Sequence, residues 1–270
     1  MRKRPLSFYF LAVFFGLFVL FLYGPMFAIF ILSLQGPDGA LTFPVRSFGF
    51  HWIASLFFQQ QRIGDFGAAF QRSLLLGFIV MAVTVVVALM AGLAFRQKFK
   101  GSSFIFYLTI SSLIVPSVLI SLGIGIAFNL IGVQTNWYSS ALGGHLTWTL
   151  PFAFLIMLGV FNRFNLSYEE AARDLGASEF QAFQHIILPL IAPALIGVAL
   201  FGFTLSYDEF TRTSLISGAR NTLPLEIFGM TTNVTSPALY ALGTVTTVFS
   251  FSIIAIAFLA YGFFAKRQQP

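Results

Sequence analysis

The sequence predicts an all-α membrane protein with six transmembrane helices, and three observations carry that prediction. Of its 270 residues 57% are hydrophobic and only 9% charged, too little polar surface to cover a water-soluble domain of this size. Uncharged stretches run over 5–37, 73–95, 101–162, 180–207 and 227–265, and several exceed the roughly 20 residues that a helix needs to cross a bilayer. None of them alternates polar and apolar positions, so spanning helices rather than a lipid-embedded barrel satisfy the backbone.

The first helix is placed at 7–33. Arg2, Lys3 and Arg4 ahead of an apolar run resemble the start of a secretory signal. The run is far longer than the usual ~7–15 residues, so it is read as an uncleaved span. The second helix covers 70–95. The stretch 101–162 is too long for one crossing and contains Gly132, Asn136, Ser139, Ser140, Gly143 and Gly144, which read as a polar turn between helices at 103–131 and 145–162. Pro116 lies inside the first of these, where the missing amide can kink the helix; Ser111, Ser112, Ser117 and Ser121 offer hydroxyls to the freed carbonyls. Such a kink serves either as a gate hinge or as a static bend. The fifth and sixth helices are placed at 189–209 and 239–264. No segment has the composition of a linker or a long repeat, so 1–270 reads as a single membrane domain.

Lys and Arg near the ends of spans favour the cytoplasmic side. With the N-terminus inside, the inner segments carry Arg2, Lys3, Arg4, Arg96, Lys98, Lys100, Arg163, Arg173, Lys266 and Arg267, and the outer ones Arg46, Arg62, Arg72, Arg212 and Arg220. Both termini are therefore expected in the cytoplasm. The net charge of +6 comes from short juxtamembrane clusters suited to anionic lipid headgroups, and no nucleic-acid motif accompanies them. Asn129, Trp137 and Tyr138 fit an aromatic belt at the outer interface.

Several chemistries are excluded. There is no cysteine, hence no disulfide, thiolate metal site or cysteine nucleophile. His51, His145 and His185 sit in three separate segments without metal-hydrolase spacing, and read as interfacial or helix-end residues, so no metal site is expected. None of Lys3, Lys98, Lys100 and Lys266 follows a glycine at the spacing of a phosphate-binding loop. The chain is not expected to be an enzyme or to hold a cofactor.

The most charged part of the sequence lies between the fourth and fifth spans, at 163–189. Ser167 with Glu170 has the form of a capping box that starts a helix, Gly176 can end it in the left-handed conformation, and Ser178 with Gln181 offers a second box. The next turn places Phe180, Phe183 and Ile187 on one side and leaves Glu179 and Gln184 in water, before Pro189 closes the segment. Two short helices with aromatic knobs read either as a docking surface or as an amphipathic loop lying on headgroups.

Glu170-Ala171-Ala172, then Gly176, then Ile186, Leu188 and Pro189 match, with both gaps, the E-A-A-x3-G-x9-I-x-L-P pattern of permease subunits of type I ABC importers. The chain resembles that family. The resemblance implies the type I permease fold in the bacterial inner membrane and a coupling loop seated in a cleft of a cytoplasmic ABC ATPase dimer. Glu170, Ala171, Ala172, Gly176, Ser178, Glu179, Phe180 and Phe183 would carry that coupling. ATP and Mg would be bound by the separate ATPase, and the further partners would be a second permease subunit and an extracytoplasmic substrate-binding protein. Pro193 to Gly197, Phe203, Ser206 to Phe210, Gly218, Thr222-Leu-Pro224 and Ile227 are similar to the PotC-type permeases of the spermidine and putrescine importers, which implies a polyamine as the solute. An amino-acid derivative, a phosphonate or a metal complex is the alternative cargo.

The carboxylates of Asp208 and Glu209 stand at about 23–28 Å along a fifth helix that starts at Pro193 or Pro189. Intramembrane carboxylates are costly and face polar cavities rather than lipid. With Tyr207 they are expected to line the pathway and attract a cationic solute. The competing reading is a helix-end pair held by Arg212. A membrane-embedded enzyme would want more catalytic groups within its spans, and an ion channel a repeated pore loop or charge ring.

Overall fold

The structure is a computed structural model that describes residues 5–38, 41–58, 65–233 and 237–266. Arg2, Lys3, Arg4, Arg62 and Arg267 lie outside them. The helices, in chain order, are α1 (Leu6–Ser33), α2 (His51–Phe58), α3 (Phe66–Ala94), α4 (Ser102–Ile114), α5 (Ser117–Leu130), α6 (Ser140–Asn162), α7 (Ser167–Asp174), α8 (Glu179–Ala182), α9 (Leu188–Tyr207), α10 (Leu223–Asn233) and α11 (Ala238–Lys266). Among the described residues there is no strand, only an isolated bridge between Gln35 and Phe48.

Among the described residues, five helices are long and apolar enough to cross a membrane: α1, α3, α6, the continuous helix Glu179–Tyr207 and the stretch Ala238–Leu259 of α11. The predicted third span is broken in two. Val115 is extended (φ −69°, ψ 128°) and Pro116 caps α5, so the axes of α4 and α5 bend by 107°. The expected kink is thus a full break, because proline drives the residue before it out of the helical region. Nor do the serine hydroxyls serve the break: Ser111 and Ser112 donate to the carbonyls of Leu108 and Thr109 at 2.8 and 2.7 Å, in their own preceding turn.

A second correction concerns the turn before the fourth span. Ser140, Gly143 and Gly144 belong to α6, which starts five residues earlier than expected. The small residues serve packing there. A Cβ at Gly144 would come within 2.6 Å of the Ile216 Cδ1, and Ser140 donates to the Ile216 carbonyl at 2.7 Å. Trp137, expected in an aromatic belt, packs against the buried cluster of Leu76, Val80, Ala141 and Ile216.

The chain divides into two compact units, Met1–Gly67 with Ile227–Phe251 and Ala68–Glu226 with Ser252–Pro270. In the first, Gly36 and Ser47 pair through backbone, and Tyr240 donates to the Leu41 carbonyl at 2.7 Å. In the second, the core lies between α3, α6 and α9: Ala88, Ala153, Met157, Phe161, Ile187, Ile191 and Val198 are all buried. Thr84 and Thr149 share a buried hydrogen bond of 2.9 Å across α3 and α6, which gives each hydroxyl a partner inside the bundle. Outward-facing positions are apolar, with Phe8, Phe14, Phe21, Phe104, Tyr107 and Phe258 exposed. Lipid rather than water solvates such a surface.

Candidate functional site

The segment between α6 and α9 forms two short helices turned at a glycine. Ser167 does not cap α7; Leu166 occupies the cap position and the Asn165 carboxamide oxygen accepts from the Ser167 amide at 3.1 Å. The helix thus starts one residue before the expected box, and the cap amide that Glu170 was to reach is served by Asn165. Gly176 has φ +88°, in the left-handed region that glycine tolerates at least cost. The second box is present: Ser178 Oγ accepts from the Gln181 amide at 3.2 Å and Gln181 Oε1 from the Ser178 amide at 2.8 Å.

Phe180 and Phe183 do not share a face. Phe180 is 71% exposed, whereas Phe183 packs against the buried core beside Ile187. Leu175 and Phe180 therefore stand out as apolar knobs, with Ser178 and Glu179 exposed between them. Glu170 is exposed, and among the described residues its carboxylate has no ion-pair partner; Ala171 is exposed and Ala172 half-buried. Ala172, Leu175, Gly176, Gln181 and His185 line a cavity of about 400 Å³.

Pro189 does not close the segment. Residues Phe183–Ile187 form a π turn in which the Leu188 amide donates five residues back, to the Phe183 carbonyl. The extra residue widens the turn and makes room for a proline that can neither donate nor tolerate a normal turn beneath its ring. Glu179–Tyr207 consequently runs as one helix of 29 residues.

At the far end of that helix a buried polar cluster gathers residues from four elements. Arg212, only 2% exposed, pairs with Glu209: Nη1 lies 3.1 Å from Oε2, and the Arg212 amide donates to Oε1 at 2.8 Å. Its guanidinium sits 4.5 Å from the ring centre of Trp148 on α6, a cation–π contact that compensates a desolvated charge. Ser121 of α5 donates to the Arg212 carbonyl at 2.8 Å. Of the helix-end pair that the competing reading assigned to Arg212, Glu209 is held in this way and Asp208 is not. Asp208 is exposed as a residue and has no ion pair among the described residues. Tyr207 is buried, stacked on Phe203 and edge-on to Phe70.

His145, expected at an interface or helix end, is 1% exposed within α6. Its Nδ1 lies 2.7 Å from Ser206 Oγ and its Nε2 2.8 Å from Thr213 Oγ1. Thr213 spends its hydroxyl proton on the Glu209 carbonyl at 2.6 Å. The arrangement is satisfied when Nε2–H donates to Thr213 and Nδ1 accepts from Ser206, so the neutral ring ties α6 to α9 and to the loop after it. Beside this cluster a cavity of about 750 Å³ is lined by Ser121, Asn129, Gln134, Thr135 and Leu215 among others; neither Asp208 nor Glu209 lines it. No group of three or more metal-ligating side chains occurs among the described residues.

Sequence reasoning passed over Glu169, Trp148 and Thr213, and read Arg96 and His145 only as topology or helix-end residues. Their partners lie 61 to 73 residues away in the pairs Arg96–Glu169, His145–Ser206 and His145–Thr213, a separation that no local pattern encodes.

Comparison with known proteins places these features in context. A family model described as "Binding-protein-dependent transport system inner membrane component" matches residues 84–269. The chain is 28% identical over 238 residues to the spermidine/putrescine transport system permease protein PotC of Haemophilus influenzae, covering 88% of this chain and 90% of the relative. It is 32% identical over 188 residues to PotC of Escherichia coli K12, covering 69% and 71%. Among solved structures, a chain of a bacterial ABC transporter involved in import of the acidic polysaccharide alginate superposes with a TM-score of 0.63 at 18% identity, covering 100% of both chains. A chain of the inward-facing MetNI methionine ABC transporter superposes at 0.59 with 14% identity, covering 76% of this chain and 98% of that one. These two likenesses concern the fold.

Proposed function

From the premise that this chain belongs to the family of binding-protein-dependent transport system inner membrane components, we propose that it is the multi-pass permease subunit of an ATP-driven importer for polyamines of the spermidine and putrescine class. In this reading both termini and residues 163–189 face the cytoplasm, in the inner membrane of a bacterium. A separate ATPase dimer binds and hydrolyses ATP with Mg, a second, related permease completes the pathway, and an external binding protein delivers the solute. The chain itself has no catalytic role.

The observation that carries the reading is the continuity of the helix Glu179–Tyr207. At 1.5 Å per residue it spans roughly 40 Å. Its cytoplasmic end begins at the Gly176 turn, where Ser178, Glu179 and Phe180 offer the ATPase a polar cap with an apolar knob, beside the exposed Glu170-Ala171 and the half-buried Ala172. Phe183, one turn on, anchors that knob to the core. Closing of the ATPase dimer displaces this end, and a helix without a break transmits the displacement to Asp208.

The far end favours a cation. Glu209 is already neutralised by Arg212, so Asp208 supplies the free negative charge next to the buried Tyr207. A carboxylate at a low-dielectric boundary attracts an ammonium group more strongly than one in bulk water, provided the pairing offsets the lost hydration. The PotC relatives named above are spermidine/putrescine permeases, which agrees with that charge.

The test is uptake by proteoliposomes that hold this chain with its ATPase and companion permease, with the binding protein outside. Labelled spermidine should accumulate only with ATP at the ATPase face, and unlabelled putrescine should compete. ATP-dependent uptake of an anionic solute with no response to polyamines would refute the polyamine assignment.

A further inference from the structure

We propose that Glu169, the residue immediately before the E-A-A run, is a positioning residue that clamps the coupling segment to the end of α3, so that α3, α7 and α8 move as one body when the ATPase moves them. The inference rests on the coupling role proposed above and adds to it a residue outside the motif.

The geometry is specific. Arg96 lies just past the end of α3, held there by its own amide bonding to the Leu93 carbonyl at 3.3 Å. Its guanidinium lies near the rings of Phe161 and Phe164, at 5.6 and 5.5 Å from their centres. Arg96 Nη2 donates to Glu169 Oε2, while Arg173 Nη2 donates to Glu169 Oε1 at 2.9 Å and lies 3.7 Å from Glu179 Oε1. A chain of alternating charge, Arg96, Glu169, Arg173, Glu179, therefore runs from the end of α3 through α7 and across the Gly176 turn to α8.

The first link is set apart from an ordinary surface pair. The Arg96 and Glu169 side chains are 17% and 14% exposed, the guanidinium lies within 5.6 Å of two ring centres, and one carboxylate serves two guanidiniums. Such charge-assisted bonds in partly desolvated surroundings hold geometry better than exposed pairs do. Burial alone would push the Glu169 carboxyl up, but the two guanidiniums outweigh it and hold the group below the usual carboxylate range. The neighbouring Glu170 is exposed and has no ion pair among the described residues, so adjacent glutamates divide the work: Glu169 fixes the segment, and Glu170 remains available to a partner.

Without the clamp α7 loses its ion pair to the end of α3, while Arg173 and Glu179 still link it to α8, so movement of the segment no longer reaches α3 through that pair. The test uses the assembled complex in proteoliposomes, where uptake and ATP hydrolysis are measured together. Glu169→Gln keeps the shape and removes the charge. It should leave ATPase binding unchanged and lower the solute carried per ATP hydrolysed by roughly threefold to tenfold. Arg96→Gln should do the same, and the double variant should be no worse than either single one. Should Glu169→Gln fail to assemble, Arg96→Lys, which retains charge but not the planar fork, should show the same lowered ratio in assembled complex.

A native ratio in assembled Glu169→Gln or Arg96→Lys complex, or independent multiplying losses in the double variant, would overturn the clamp. Failure of the unmodified chain to bind any ATPase would instead overturn the coupling role itself.

Discussion

Arg212 and Glu209 form a closed pair at the end of α9, in which one carboxylate receives both the guanidinium at 3.1 Å and the arginine's own amide at 2.8 Å. The side chains are 2% and 10% exposed. The pair is thus a structural element of the loop, and it divides two adjacent acids into one that is consumed and one, Asp208, that is free.

Glu209→Gln should destabilise the protein. The substitution leaves Arg212 buried against Trp148 with its charge uncompensated, and removing one partner of a buried pair costs about 3–5 kcal/mol. A thermal melt of the purified protein in detergent should show a clearly lowered midpoint and poor recovery from membranes. An unchanged melt would mean that the pair contributes nothing to the fold.

Asp208→Asn should behave in the opposite way. Asp208 is exposed and lacks an ion pair among the described residues, so the melt should not move by more than the roughly 0.5 kcal/mol expected of a surface change. Uptake of spermidine should fall at least tenfold, which corresponds to about 1.4 kcal/mol of lost stabilisation of the cation, while the binding protein keeps its affinity. Undiminished uptake would remove Asp208 from the pathway.

Gly176→Val should separate hydrolysis from transport. Nothing lies within 4 Å of a Cβ placed there, so the effect is purely that of a β-branched residue at φ +88°, about 1–2 kcal/mol or more against the left-handed turn. Gly176→Asn, whose short polar side chain tolerates that region, should retain most of the uptake. Equal uptake and equal ATP hydrolysis in Gly176→Val and the unmodified complex would contradict the role of the turn.

Much of this was legible in the chain. Long uncharged runs mark spans whatever their neighbours do, because lipid imposes the requirement on each helix separately; hence 7–33 and 239–264 coincide closely with α1 and α11. The Gly176 turn and the Ser178 box were legible because caps act within three residues. The break at Val115–Pro116 was not, since proline permits either a kink or a stop and its surroundings decide. Pro189 shows the reverse: expected to close a segment, it is accommodated by a π turn whose register follows from Phe183 and Ile187 packing in the core. Glu209 and Arg212 are three residues apart, yet the choice between Asp208 and Glu209 as partner depended on Trp148 and Ser121, which arrive from other helices.

The most direct test of the coupling account exploits the absence of cysteine in the chain. A single cysteine introduced as Phe180→Cys, in a complex that still transports, is treated with a short thiol-to-amine cross-linker in the presence and absence of ATP, with Tyr107→Cys on the exposed apolar face of α4 as the control position. The account predicts a covalent product between this chain and the ATPase from the cysteine at 180, with a yield that changes with nucleotide, and none from the cysteine at 107. No product from position 180 in a complex shown to contain the ATPase, or equal products from both positions, would contradict it.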